Sequence, residues 1–134
     1  MKTKFFLSLL ILMVIATFSS KAQTSYSCTY REYCKWNEQL GDYESECSGY
    51  KEASLFVLNA NKTMITHTIQ EMTTTYYVKK TEYRKDYNVT LYYVVSDTGH
   101  GYVFLLDPDN MEIRVLNEED DYDVMTRFYV KAIF

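Results

Sequence analysis

The chain has 134 residues, 47% of them hydrophobic, and 18 Asp and Glu outnumber 14 Lys and Arg for a formal net charge of −4. An acidic chain is a poor partner for nucleic acid or anionic lipid, because both are bound through basic surfaces. The length is typical of a single domain.

The N-terminal residues have the three parts of a secretory signal peptide. Lys2 and Lys4 give a short basic start, and residues 5–18 form an apolar run. This run is shorter than the ~20 apolar residues that a membrane-spanning helix requires. Small residues follow at Ser20 and Ala22, where a signal peptidase reads the chain. We therefore predict a signal peptide that is cleaved after Ala22.

Cleavage there divides the chain into a signal peptide, residues 1–22, and a single β domain, residues 23–134. The first cysteine, Cys28, lies six positions past Ala22, whereas a lipoprotein needs a cysteine directly after the cut.

The signal peptide contains three of the basic residues and none of the acidic ones. The domain therefore carries 11 Lys and Arg against 18 Asp and Glu, a net charge of −7. The prediction is a soluble bacterial protein, exported to the periplasm or the extracellular medium, with no membrane span after cleavage.

Apolar and polar residues alternate with a period of two through the domain, which predicts β-strands. In residues 26–36 the even positions form the more apolar face, and Arg31 falls on the polar face. In residues 87–95 the odd positions, Val89 among them, form the apolar face. Further predicted strands cover a segment around Gly49 and residues 55–58, 64–69, 76–83, 102–106, 111–116 and 124–134. No segment long enough for a helix has helical periodicity.

Turn-forming residues separate these runs and predict tight hairpins between consecutive strands. The fold expected is all-β, an antiparallel meander of about eight strands. Since closure removes the exposed edges of such a meander, we predict a small up-and-down β-barrel, with a two-sheet β-sandwich as the alternative. A bulge or bend is expected at Gly49. Lipocalin-like barrels have this size, although the Gly-x-Trp signature of their first strand is absent, since Cys34 and Lys35 precede Trp36.

The three cysteines raise the question of which pair forms a disulfide, the bond expected of an exported protein. Cys28 and Cys34 lie six residues apart on one strand, ~20 Å when extended, and a disulfide allows at most ~7 Å between Cα atoms. A turn around Leu40 and Gly41 would place Cys34 opposite Cys47. We predict the bridge Cys34–Cys47, with three reduced cysteines as the alternative. Cys28 is then a buried thiol or a covalent link between two copies.

Residues for catalysis or for a cofactor are not evident. The chain has no Cys-x-x-Cys pair, and His67 and His100 lie far from the cysteines in sequence. We therefore predict no catalytic residue, no metal site and no cofactor. His67 alternates with Ile65 and Ile69, so we expect it to be half-buried and hydrogen-bonded.

Three segments match functional motifs in part. Asp97-Thr98-Gly99 is the tripeptide of aspartic proteases, the segment from Asp107 to Glu118 matches a calcium loop at some positions, and residues 117–123 contain five carboxylates. The calcium loop lacks its glycine, because Glu112 stands at that position. Turns explain all three segments more simply.

Tyrosine is abundant, with 14 residues, and favours strands as well as recognition surfaces. Neighbours on a strand point to opposite faces. The doublets Tyr76-Tyr77 and Tyr92-Tyr93 should therefore each place one ring inside and one outside. Exposed rings on adjacent strands would form a platform for a sugar or a peptide, while the alternative is cross-strand pairing that stabilises the sheet.

These observations favour a non-enzymatic binding module that recognises its partner through a Tyr-rich face or the mouth of a barrel. The partner is a protein, a peptide, a glycan or a small apolar ligand. The alternative is a lipocalin-like carrier with a small apolar ligand inside the barrel. A hydrolase is a third possibility that no motif supports. The sequence identifies neither the ligand nor the oligomeric state.

Overall fold

The computed structural model describes residues 22–134, which are entirely β-strands and turns. The predicted signal peptide lies outside the described residues except for Ala22, which is exposed. Within the described part of the chain there is no helix of the length and apolarity needed to cross a membrane.

Residues 22–134 form nine strands in chain order. They are β1 (Thr24–Asn37), β2 (Asp42–Tyr43), β3 (Ser48–Leu58), β4 (Met64–Ile69), β5 (Met72–Arg84), β6 (Val89–Ser96), β7 (Gly101–Asp107), β8 (Glu112–Asn117) and β9 (Val124–Ile133). Apart from the two-residue β2, each strand pairs antiparallel with the next, as the alternating pattern and the turn residues predict.

The sheet closes on itself because β1 also pairs with β9. Eight strands form the barrel, and β2 is an extra strand that pairs only with the end of β1, through Trp36↔Tyr43 and Asn37↔Asp42. The predicted up-and-down β-barrel is therefore confirmed, and the two-sheet sandwich is not formed. Closure leaves none of the eight barrel strands with an unpaired edge.

The centre of the barrel is filled by aromatic and aliphatic side chains. Phe56 (β3), Phe104 (β7) and Ile113 (β8) are among the largest fully buried side chains. The Phe56 ring meets Phe104 edge-on at 6.0 Å and Phe128 edge-on at 4.9 Å, a preferred arrangement for aromatic pairs. Each such side chain contributes about 1.5–3 kcal/mol through burial. One end of the barrel, which we call the upper end, is bounded by residues 38–47, 70–71, 97–100 and 118–123.

The alternation along β1 changes phase in the middle of the strand. The register with β3 and with β9 shifts between Cys28 and Tyr30. Cys28 lies in the core, and beyond the shift Arg31, paired with Tyr50 and Phe128, points into the barrel. The prediction of unbroken alternation along this strand, with Arg31 on its polar outer face, is therefore wrong. A bulge adds a residue and reverses which side chains point inward.

Strand β6 also faces the opposite way from the prediction. Tyr92 and Val94 belong to the core cluster, whereas Val89, Leu91 and Tyr93 point to the outside. The even positions of β6 include Thr90 and Ser96 and are the less apolar of the two sets, yet they point inward, so alternation did not determine which face is buried.

The predicted bulge at Gly49 is also wrong, because the pairing Glu32↔Gly49 continues the regular register of β1 with β3. Gly49 and the predicted run 55–58 belong to one continuous strand, β3. Gly49 instead allows the backbone of β3 to lie close to β1, because it has no Cβ. A Cβ there would lie 2.7 Å from the carbonyl oxygen of Arg31 and 2.8 Å from Cβ of Glu32.

Paired charges cover part of the outer surface. Nη1 of Arg127 (β9) donates to Glu32 (β1) at 2.7 Å, and the Tyr129 hydroxyl donates to the same carboxylate oxygen at 2.7 Å. Nη2 of Arg114 (β8) donates to Asp107 at 2.8 Å. These contacts tie neighbouring strands together on the face that points away from the core.

Candidate functional site

A cavity of about 270 Å³ opens inside the barrel at its upper end. We call this cavity the cup. Its floor consists of the core rings, and its wall carries the polar groups described below. The lining residues are Arg31, Phe56, His67, Ile69, Thr74, Tyr76, Tyr102, Phe104, Val115, Thr126 and Phe128.

Pairing of β4 with β5 builds one side of the cup. His67 is opposite Thr74, and Ile65 is opposite Tyr76. Because side chains alternate across a strand, His67, Ile69, Thr74 and Tyr76 all point inward. The sequence pattern Ile65–His67–Ile69 therefore encodes this side of the cup directly.

His67 is nine-tenths buried in the wall of the cup. Its imidazole stacks on the ring of Phe56 with centroids 3.9 Å apart and meets Phe128 edge-on at 5.0 Å. Nε2 has no hydrogen-bond partner, so the expected hydrogen bond at this atom is not formed. Burial, with the nearby charge of Arg31, lowers the pKa of His67 to about 4. The imidazole is therefore uncharged at neutral pH.

Arg31 brings a positive charge to the same wall. Its Nε donates to Glu52 of β3 at 2.7 Å, Nη2 donates to the same carboxylate oxygen, and Nη1 donates to the Tyr33 hydroxyl at 3.1 Å. The guanidinium lies 5.1 Å from the centre of the Phe128 ring, within the range of a cation–π contact. Three neighbours therefore fix its position.

Two tyrosines, Tyr76 on β5 and Tyr102 on β7, add aromatic rings to the wall. The Tyr76 ring meets the Tyr102 ring edge-on at 5.5 Å and lies 4.8 Å from the ring of Phe104. Burial, followed by the neighbouring Tyr102 and Asp97, raises the pKa of Tyr76 to about 12. Its hydroxyl stays protonated and can donate a hydrogen bond at neutral pH.

The structure separates the four tyrosines proposed as ligand-binding residues. Tyr76 lines the cup and Tyr92 lies in the core, whereas Tyr77 and Tyr93 point outward. Each doublet thus places one ring inside, as predicted. Tyr93 donates to Glu82 at 3.2 Å and lies 5.3 Å from Nζ of Lys80, which is cross-strand pairing. The role of these tyrosines in ligand binding stays a prediction.

The predicted disulfide Cys34–Cys47 is confirmed, with Cα atoms 4.8 Å apart. Cys28 is free and buried, and burial raises the pKa of its thiol to about 12. Such a thiol is a weak nucleophile and is out of reach of a second copy in the folded protein. Glu32 lies beside the bridge, but the bonded sulfur atoms do not provide thiolate ligands for a metal.

The segments that resemble functional motifs are turns at the ends of strands. Asp97 begins the β6–β7 turn, in which Gly99 has φ 88°. The carboxylate of Asp107 accepts from the backbone and side chain of Asn110 and from Arg114. These local bonds explain why such residues occur there.

The acidic segment 117–123 lies in the β8–β9 turn, where Glu119 pairs with Nδ1 of the exposed His100. A groove of about 500 Å³ lies beside it, against Trp36 and Tyr43. Another of about 450 Å³ lies on the outer face at Val89 and Leu91. Both are larger than the cup but lie on the outside of the barrel.

Of the residues that line the cup, the sequence pointed only to Tyr76 as a candidate for ligand binding, and Arg31 was placed on the wrong face of β1. It was assigned to the polar face because the register shift at Cys28 and Tyr30 has no clear signal in a single sequence.

Function must be argued from a site rather than from a barrel fold, because one fold supports many functions. The site here is an aromatic cup with a fixed guanidinium and a buried imidazole. Comparison of the chain with protein-family models, with curated proteins and with solved structures found no match.

Proposed function

We propose that the protein is a non-enzymatic binding module that holds a small molecule in the cup at the mouth of the barrel. The observation that carries this proposal is His67, a residue of the cup lining whose Nε2 is buried and has no hydrogen-bond partner. Buried polar atoms are almost always paired, and leaving one unpaired costs about 1–3 kcal/mol. A bound ligand that pairs with Nε2 would remove this cost.

The size of the cup limits the ligand. A water molecule occupies roughly 30 Å³ in the liquid, so 270 Å³ holds on the order of nine waters. A molecule with a single ring fits this space, and the rings of Phe104, Tyr76 and Tyr102 offer it apolar contacts.

A lipocalin-like carrier of a small apolar ligand is the second candidate, favoured by the closed eight-stranded barrel. Such a carrier needs an empty interior. The rings of Phe56, Phe104 and Phe128 occupy the middle of this barrel, which favours binding at the mouth instead.

Export to an oxidising compartment is part of the proposal. The signal-like residues 1–22 motivate it, and the Cys34–Cys47 disulfide supports it because such bonds persist outside the cytosol. Burial raises the pKa of the Cys28 thiol, which argues against catalysis by this cysteine.

A pair of neighbouring substitutions tests the site. Thr74 faces the cup and Thr75 faces outward on the same strand. Thr74→Phe should fill the cup and abolish binding, whereas Thr75→Phe should leave it intact. Binding is measured from backbone amide shifts in NMR titrations with phenol, indole and benzoate.

Three results would decide the proposal. Shift changes at His67, Thr74 and Tyr76 that Thr74→Phe removes would support it. Equal binding by both variants would place the ligand elsewhere and overturn it. The mass of the protein purified from its own export compartment should also be measured before and after denaturation. Loss of a large apolar molecule on denaturation would favour the lipocalin-like carrier.

A further inference from the structure

We propose that the molecule bound in the cup is a small aromatic carboxylate, with its ring on the floor and its carboxylate between Arg31 and His67. This inference rests on the proposed function and adds the chemical class of the ligand. Three features of the cup support it: the hydrogen-bond donors of the lining, the positions of the Arg31 and His67 side chains, and the aromatic floor.

The lining of the cup differs in charge from the chain as a whole. The chain carries 18 Asp and Glu, yet among residues 22–134 none of them lines the cup. The polar groups in the lining are a guanidinium, an imidazole and the hydroxyls of Thr74, Thr126, Tyr76 and Tyr102. All of these can donate hydrogen bonds, so they suit an acceptor with negative charge.

Arg31 retains donors for such an anion. One N–H of Nη2 and the N–H of Nε are directed to Glu52, and one N–H of Nη1 is directed to Tyr33. Each terminal nitrogen carries a second N–H. The guanidinium is already held by Glu52 and by the Phe128 ring. Little side-chain entropy is therefore lost when a carboxylate binds.

His67 supplies the second contact. Its ring is held flat on Phe56 and against Phe128. The residue lines the cup, and its Nε2 is buried without a partner. In the tautomer with the proton on Nε2, a neutral imidazole donates to a carboxylate oxygen. Hydrogen bonds to a charged acceptor are stronger than neutral ones, and the buried nitrogen would no longer be unpaired.

The floor is suited to a ring. Phe104 and Phe128 meet Phe56 edge-on, and Tyr76 meets Tyr102 edge-on. A planar aromatic ligand makes offset or edge contacts with such a set, worth about 0.5–1.5 kcal/mol per pair beyond the burial of area.

The acidic turns at the upper end do not prevent an anion from binding inside. The carboxylates of the β8–β9 turn, Glu118 to Asp121, are exposed. Exposed charges are screened over ~8 Å at physiological ionic strength. Arg31 lies inside the barrel, with a side chain 15% exposed, where screening by salt is weaker.

The test compares three ring compounds that differ in one substituent. Benzoate, benzamide and benzylamine are titrated into the folded protein at physiological salt, and dissociation constants are taken from amide shifts of cup residues. Benzoate should bind at least tenfold more tightly than benzamide, and benzylamine should show no binding in the cup.

Matched double variants test the role of Arg31. Arg31→Gln with Glu52→Gln removes the ion pair in the cup and leaves no unpaired charge. Arg127→Gln with Glu32→Gln removes an equivalent pair between strands on the outer face. The first should weaken benzoate binding about tenfold and leave benzamide binding unchanged, while the second should change neither.

The outcomes separate this inference from the proposed function. Equal affinity for benzoate and benzamide, or preference for benzylamine, in the wild-type protein would overturn the carboxylate class while the cup remained a binding site. Absence of binding by every compound, including phenol and indole, would overturn both. The wild-type comparison needs no variant, so it holds even where Arg31→Gln with Glu52→Gln fails to fold.

Discussion

The imidazole of His67 lies parallel to the ring of Phe56, with an angle of 2° between their planes and 3.9 Å between their centroids. The two residues are directly opposite on β3 and β4, so the stack is a cross-strand pair inside the barrel. A proton on this imidazole would place a charge among aromatic rings and close to Arg31. The stack therefore links stability to pH.

Acid should destabilise the protein through His67. Its pKa is about 4 in the folded protein, against an ordinary value of 6.5 for histidine, so the unfolded chain binds the proton more readily. The stability that depends on an uncharged His67 is fully present above pH 6.5. It falls as the pH drops towards about 4 and does not change further below that. The loss is on the order of 3 kcal/mol. The measurement is the free energy of unfolding between pH 7 and pH 4.

Two variants isolate this effect from the titration of the carboxylates. His67→Phe keeps an aromatic ring on Phe56 and should give a shallower dependence on pH. His100→Gln changes an exposed histidine that pairs with Glu119 and should retain the wild-type slope over the range governed by His67. Equal slopes for His67→Phe and wild type would contradict the assignment.

The Cys28 thiol should be inert in the folded protein. It is 1% exposed, and burial raises its pKa to about 12, so almost no thiolate is present at pH 8. Iodoacetamide should leave the native protein unlabelled and add one label in denaturant, as judged by intact mass. Cys28→Ser should give no label in either state. Rapid labelling of the native protein would show that the thiol is accessible.

Loss of the disulfide should weaken the barrel at its upper end. Cys34 and Cys47 are 13 residues apart in sequence, and a closed loop of that size stabilises by about 3 kcal/mol. Replacing both with alanine should lower the free energy of unfolding by about that amount, measured in urea. Reducing the wild-type protein should give a similar loss. An intact mass of the non-reduced protein that corresponds to three free thiols would refute the disulfide.

Gly49→Ala should destabilise the protein and disturb the cup. The new Cβ would lie 2.7 Å from the backbone oxygen of Arg31, so β1 must move where it carries the guanidinium. We expect a loss of about 1–3 kcal/mol and weaker binding of benzoate. Ser48→Ala, at the exposed neighbouring position, is the control and should be close to wild type. A wild-type melting temperature for Gly49→Ala would rule out the close approach.

Local patterns in the sequence predicted the strands, the hairpins and the disulfide. The disulfide followed because a turn near Leu40 and Gly41 sets Cys34 and Cys47 at equal distances from it. His67 was placed correctly beside Ile65 and Ile69, since alternation on β4 is regular. The missing hydrogen bond at Nε2 was not predictable, because it depends on which side chains of other strands reach the cup.

The sequence by itself determined that this protein is an antiparallel β-structure, because alternation and turn residues act between near neighbours. Only the tertiary structure decided which residues of β1 and β6 face inward. The register shift between Cys28 and Tyr30 depends on pairing with β3 and β9 at once, and β9 lies at the far end of the chain. Arg31 therefore enters the cup through closure of the barrel, since long-range pairing sets the phase of a strand that no local pattern fixes.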